Sequence, residues 1–185
     1  MIGDRKSATA RAGSKVILLG EHTVVHGTDA IALGMGRGVE VEVTKGDGPL
    51  SLEAPGWGFS AQATGRAQGD LALKALALSL GVPLEGISIF VDAHIPARAG
   101  LGASASLAVA AARALCGYAG IGCNRKTILD AANASESVFH SNPSGIDANA
   151  VFLPGCLLYN KKSGVRRLDA SVPGLLVISS GKEGA

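Results

Sequence analysis

Hydrophobic positions change rhythm along this chain. Near the start they fall in short runs and alternations. Lys15-Val16-Ile17-Leu18-Leu19 predicts a strand, and Ala8 to Ala12 is a strand candidate within an otherwise small, polar leader, Met1 to Ser14. Ala30 to Leu33 and Val39 to Thr44 predict two more strands. In the second, Val39, Val41 and Val43 alternate with Glu40 and Glu42, so one face is wet. Gly46 to Gly69 is punctuated by Gly and Pro, holds the sole Trp, Trp57, and predicts loops with one strand around Leu50 to Glu53. The rhythm then turns helical. Leu73, Leu76, Ala77 and Leu80 line a helix capped by Asp70 and stopped by Gly81. Ile87 to Val91 reads as a strand. Leu107, Ala110, Ala111 and Ala114 mark a helix running to Cys116, with Ser104 or Ser106 available to cap it. Asn124 caps a helix from Arg125 to about His140, with Ile128, Leu129, Ala132 and Phe139 on its apolar side. Ser141-Asn142-Pro143-Ser144-Gly145 is a turn signal, followed by one helical turn over Ile146 to Val151. Gly155 to Asn160 and Gly164 to Leu168 predict two strands joined at Lys-Lys-Ser-Gly, and Gly174 to Ser179 one more. Strands first and helices after predict an α+β layer structure with helices on one face of a sheet.

Composition narrows this picture. The 185 residues are 47% hydrophobic but only 4% aromatic, so the core is built from Val, Ile, Leu and Ala, which suits helices packed closely on a sheet. Glycine, at 26 residues, is about twice its usual frequency and implies tight turns and close backbone approaches. A net charge of +2, with no Lys/Arg run longer than two, gives no footprint for nucleic acid. No apolar run reaches membrane-spanning length, and the leader lacks the apolar core of a signal peptide. Cys116, Cys123 and Cys156 are odd in number and lack C-x-x-C spacing; they are expected to be reduced and mostly buried in a cytoplasmic protein.

The stretch richest in candidate chemistry is Pro96-Ala97-Arg98-Ala99-Gly100-Leu101-Gly102-Ala103-Ser104-Ala105-Ser106, between the strand at 87–91 and a helix. A glycine-rich loop entering a helix presents unpaired N–H groups and the positive end of the helix dipole, which suits phosphate; a tight strand-to-helix turn is the plainer alternative. Lys15, at the head of a strand, is either solvated or functional. Glu21 and His22 form a turn at that strand's end, where sites concentrate. Glu136 is an exposed carboxylate or a hard-oxygen metal ligand, and Asp147 a helix cap or a proton acceptor. Together these are the parts of phosphoryl transfer, in which the protein positions groups and offsets charge. There is no Walker A sequence, no His-Arg-Asp and no Asp-Phe-Gly. Gly102-Ala103-Ser104-Ala105-Ser106 comes near a hydrolase nucleophile elbow, but Ser106 stands where Gly is needed and no histidine follows Asp147.

Three stretches resemble the GHMP small-molecule kinases, most closely their mevalonate-kinase branch. Lys15 to Gly27, with Gly-Glu-His, is similar to that family's first motif. Pro96 to Ser106 is similar to its Pro-x3-Gly-Leu-Gly-Ser-Ser-Ala phosphate loop. Glu136 to Asp147, with Asn-Pro-Ser-Gly-Ile-Asp, is similar to the stretch supplying a metal ligand and a catalytic aspartate. The resemblance implies ATP- and Mg²⁺-dependent phosphorylation of the primary hydroxyl of mevalonate, in isoprenoid synthesis. It implies that Asp147 acts on the acceptor hydroxyl, paired with Lys15. Glu21 and His22 serve the substrate side, Ser104 and Glu136 hold Mg²⁺, and Pro96 with Ala99 to Ser106 surrounds the ATP phosphates. The implied fold is the α+β GHMP N-terminal domain, similar to ribosomal protein S5 domain 2, with an unusual left-handed β-α-β unit. It is expected over residues 1–172, with 173–185 opening a second, ferredoxin-like domain. The implied partner is a small molecule, not nucleic acid or membrane, and a homodimer is allowed for the full-length protein. Departures are Ala103 in place of the first loop serine, Gly13-Ser14-Lys15 for the usual Pro-Gly-Lys, and the lack of a third motif of the Gly-Ala-Gly-Gly-Gly type. That last departure leaves a second reading, an incomplete or non-catalytic binding module. Kinases of galactose, homoserine or phosphomevalonate are the neighbouring alternatives.

Overall fold

The fold comes from a computed structural model that describes residues 7–140, 143–170 and 174–178. The elements run β1 (Ser7–Leu19), β2 (Ala30–Pro49), β3 (Ser51–Ala54), β4 (Phe59–Gln62), α1 (Gln68–Leu80), β5 (Glu85–Ala93), α2 (Ala103–Ala119), α3 (Arg125–Glu136), α4 (Ile146–Phe152), β6 (Gly155–Asn160) and β7 (Gly164–Arg167). The strands form one sheet in the order β4-β3-β5-β2-β6-β7, with β1 also on β2. All pairings are antiparallel except β3 with β5, whose crossover contains α1. The expected α+β architecture is present.

β2 is the spine. Its predicted alternation holds: Val39, Val41 and Val43 are buried, and Glu42 is exposed. They pack with Ile87, Ile89 and Val91 of β5 and with α1 and α2 into the main core. α2 is buried nearly all round, and its alanines let it lie close to the sheet. A second, smaller cluster around Val24, Ala32, Ile146, Leu157 and Tyr159 seats α4 on β2 and β6.

Several boundaries differ from the sequence reading. The two predicted strands at 30–33 and 39–44 are one strand, because the glycines between them serve close approach. A Cβ on Gly34 would lie 2.2 Å from the Leu153 carbonyl oxygen, and one on Gly38 2.1 Å from that of Ala12. β1 likewise runs unbroken from Ser7 to Leu19, joining the strand candidate at Ala8 to Ala12 to the strand at Lys15 to Leu19, and its register with β2 shifts between Gly13 and Ser14. The Gly/Pro stretch hides a hairpin of two four-residue strands, β3 and β4. Asp70 is not the cap residue of α1; it sits at the third helical position and accepts from the N–H groups of Ala67 (2.9 Å) and Gln62 (2.7 Å). Asn124 does cap α3, accepting from Thr127 N. That helix ends at Glu136 rather than His140, where the Ser137 hydroxyl donates to the Asn133 carbonyl and competes with the ladder. Cys116 and Cys123 are not free thiols: they form a disulfide, because left-handed Gly120 turns the chain back over the last turn of α2. Cys156 is free and buried, as expected. Residues 174–178 form no strand with any of the described residues, and Leu176 and Ile178 lie exposed. The segment before Ser7, Ser141 and Asn142 of the predicted turn, residues 171–173 with the expected domain boundary, and Ser179 onward lie outside the described residues. Among the described residues no helix is long and apolar enough to cross a membrane.

Candidate functional site

The glycine loop leaves β5 at His94, whose N–H donates to the Gly38 carbonyl at 3.0 Å, and Trp57 Nε1 donates to the Ile95 carbonyl at 2.8 Å. Arg98, Gly100 and Gly102 all take positive φ, 54°, 72° and 73°. The Leu101 carbonyl accepts from Lys15 N at 3.0 Å and ties the loop to β1. Gly102 is the N-cap of α2 and offers no capping side chain. The first intrahelical donor is Ser106, bonded to the Gly102 carbonyl at 2.8 Å. The preceding N–H groups of a 17-residue helix therefore have no cap, an arrangement with affinity for an anion. Ser104 and Ser106 do not cap the helix, contrary to the sequence reading. The Ser106 hydroxyl is buried and donates to the Gly13 carbonyl at 2.5 Å, pinning α2 to the β1 irregularity.

Four side chains from four elements converge beside this loop. Lys15 of β1 is buried, and its Nζ lies 3.1 Å from Oδ1 of Asp147 in the first turn of α4. That contact is an ion pair without hydrogen-bond alignment. The stem of Lys15 lies across the glycine loop: a Cβ on Gly102 would come within 2.8 Å of Lys15 Cγ. Glu136, the last residue of α3, is 7% exposed, far from the solvated carboxylate its helix position suggests. Burial pushes its carboxyl above the ordinary range, and the nearby Asp147 charge adds to this. A hydrogen bond from Ser104 and the charges of His140 and Lys15 act in the opposite direction. Glu136 Oε1 is buried with no hydrogen-bond partner. A carboxylate oxygen left bare next to a hydroxyl and a second carboxylate fits a hard divalent cation, which takes one or two carboxylates and completes its shell with phosphate and water. Among the described residues no three His, Cys, Asp or Glu side chains form a self-sufficient metal cage.

These groups line a cleft of about 660 Å³. From the predicted loop, Gly100, Gly102, Ala103 and Ser104 face it; Pro96, Ala99, Leu101, Ala105 and Ser106 do not. Glu21 and His22 are exposed on the turn after β1, outside the lining. The sequence reading missed the apolar part of the lining. Leu52, Trp57, Phe59, Leu73, Leu76 and Phe139 form it, a surface suited to a flat heterocycle. The signal for it was weak: Trp57 stood alone in a Gly/Pro stretch, and Leu73 and Leu76 read as ordinary core.

A family model described as GHMP kinases N terminal domain matches residues 67–155. Among curated proteins the chain is similar to the mevalonate kinase of Aeropyrum pernix, 31% identical over 97% of this chain and 59% of that protein. It is also similar to that of Pyrococcus horikoshii, 31% identical over 84% of this chain and 52% of that protein. The solved structure of L. major mevalonate kinase in complex with R-mevalonate matches with a TM-score of 0.73 at 27% identity, covering 90% of this chain and 55% of that one. Lactococcus lactis galactokinase complexed with galactose matches at a TM-score of 0.74 and 15% identity, over 88% of this chain and 47% of that one, and shows a shared fold alone. The chain spans about half the length of the relatives it matches. With its glycine loop running into α2 at one end of the sheet, the chain has the fold of the GHMP kinase N-terminal domain, whose family model it matches over residues 67–155, and it is similar to the mevalonate kinases.

Proposed function

We propose that this domain, assigned to residues 1–172, serves ATP-dependent phosphorylation of the primary hydroxyl of mevalonate, a step of isoprenoid synthesis. The observation that carries the reading is the ion pair between buried Lys15 and half-buried Asp147 beside the glycine loop. Asp147 accepts the proton of the acceptor hydroxyl as its oxygen bonds to the γ-phosphorus of ATP and the bond to the β-phosphate oxygen breaks, leaving ADP. Lys15 keeps Asp147 ionised and offsets negative charge developing on the acceptor oxygen. The uncapped N–H groups at the head of α2 and the Gly100–Ser104 backbone hold phosphate oxygens, and the apolar wall with Trp57 takes the base. Ser104 and Glu136 would hold Mg²⁺, which when bound neutralises phosphate charge. Glu21 and His22, at the far end of the strand carrying Lys15, are assigned to the acceptor side. Mevalonate is favoured by the motif around Gly20-Glu21-His22 and by the mevalonate kinases among the similar proteins.

Calorimetric titration of the chain with ATP and Mg²⁺ tests the nucleotide half. An ADP-coupled assay tests transfer, on the chain and on a chimera joining it to the remaining length of the Aeropyrum pernix relative. Mevalonate, phosphomevalonate, galactose and homoserine are offered in turn. Micromolar-range nucleotide binding and turnover with mevalonate are expected. Absence of nucleotide binding in both proteins sinks the reading, and preference for another alcohol moves the substrate assignment to it.

A further inference from the structure

Asp147 sits on a short helix. α4 has seven residues, too few to hold its own direction in water, so contacts from elsewhere must set where the carboxylate points. Its N-terminal turn is gripped on two sides. From β6, the Tyr159 hydroxyl donates to the Ser144 carbonyl at 2.5 Å. From within α4, Asn149 Nδ2 donates to the Gly145 carbonyl at 2.9 Å, and Asn149 Oδ1 accepts from Arg125, at the head of α3, at 2.7 Å. Gly145 is wedged between the two: at φ +80°, a Cβ there would meet the Tyr159 hydroxyl at 2.8 Å and Asn149 Nδ2 at 4.0 Å. Tyr159 is 7% exposed, and its ring belongs to the small core under Ile146.

We infer that Tyr159 and Asn149 are positioning residues, a clamp on Ser144 and Gly145 that holds the first turn of α4 so that Asp147 meets Lys15. Neither lines the cleft. Their action on turnover rests on the phosphotransfer reading above, whereas their action on α4 does not. The clamp also links two site elements: Arg125 opens the helix that ends at Glu136, so the proton acceptor and the cation ligand are referenced to one another across Asn149.

Tyr159→Phe keeps the ring in the core and removes only the donor; Asn149→Ala removes the second grip. Both are measured by amide hydrogen exchange on the chain and, in the chimera, by turnover and nucleotide affinity. Exchange of the residue-149 and Leu153 amides, whose bonds to the carbonyls of residues 145 and 149 stabilise α4, should speed up at least tenfold, with α1 and α2 unchanged. Turnover should fall about 10- to 100-fold, the range expected when a reacting group is displaced by up to about 1 Å, while nucleotide affinity stays within twofold. Wild-type exchange in both variants overturns the clamp. So does a parallel loss of nucleotide affinity, which would mark a general structural defect. If the wild-type chimera shows no turnover, the phosphotransfer reading fails, and exchange at α4 still decides the clamp.

Discussion

Replacing Lys15 by Met keeps the bulk of its stem across Gly102 and deletes only the charge, so it isolates what the ion pair does. Unscreened by solvent, two unit charges 3.1 Å apart attract by about 5 kcal/mol at an effective dielectric near 20. Asp147 keeps 38% of its side chain exposed, so water screens part of this and the share felt in stability is about 1–3 kcal/mol. The loss has a specific signature. With Lys15 gone, Asp147 and buried Glu136 face each other as like charges, and the Glu136 carboxyl moves further upward. Urea unfolding of the four proteins of a Lys15→Met, Asp147→Asn cycle measures the pair. Lys15→Met should cost about 1–3 kcal/mol less when Asp147→Asn is already present than in the native chain. Turnover in the chimera should drop roughly 10²- to 10³-fold, as when one preorganised charge is withdrawn from a developing anion. Additivity of the two substitutions within about 0.3 kcal/mol, together with near-native turnover of Lys15→Met, would refute the pairing as both a structural and a chemical link.

Other consequences can be checked alongside. Gly102→Ala puts a Cβ 2.8 Å from Lys15 Cγ at a left-handed residue, so it should cost about 1–3 kcal/mol of stability and weaken nucleotide binding at least tenfold by calorimetry. Glu136 has its carboxyl raised by burial, so the native state holds that proton more tightly than the unfolded chain. The contribution is fully present below the ordinary carboxylate range and is lost as pH rises through the raised value; Glu136→Gln should flatten this decline in metal-free melts and abolish Mg²⁺ enhancement of nucleotide binding. Cys123→Ser, or reduction, opens the short loop closed between Cys116 and Cys123 and should lower stability by about 2 kcal/mol on the loop-entropy account, seen as a drop in Tm of several degrees.

Where side chains repeat at a fixed period, the elements were legible: the buried face of α1 is Leu73, Leu76, Ala77 and Leu80, and the Asn124 cap and the β6–β7 hairpin stand where the residues place them. Glycine was the ambiguous letter. At Gly81 it ends a helix, but at Gly34 and Gly38 it lets backbones touch within an unbroken strand, and local sequence carries no mark of which role applies. Lys15, Ser104, Glu136 and Asp147 stood out as candidates because their residue types suit one reaction; that they meet is a tertiary fact no local pattern carries. Ser106 shows the limit. It shares a loop sequence with Ser104, yet its hydroxyl turns inward to Gly13, a partner 93 residues away. The Cys116–Cys123 bridge depended on the backward turn at Gly120, which a search by cysteine spacing passes over.

β2 has one further consequence. Its residues 30–34 pair with β6, which leads back to α4, and its residues 39–49 pair with β5, which leads into the glycine loop. Opposite β1, Gly13 faces Gly38 and Ser14 faces Met35, so Gly36 and Arg37 are looped out between the two wings. A residue inserted at Gly36, whose surroundings are empty within 4 Å, would be absorbed there as a larger kink, leaving each wing its own pleat. The same insertion at Val41 would invert inside and outside for everything beyond it, exposing the valines under α2 while the acidic end of the cleft kept its seat. Length variation along this strand is therefore tolerable at one joint, and that joint separates the wing that leads into the glycine loop from the wing that leads back to α4.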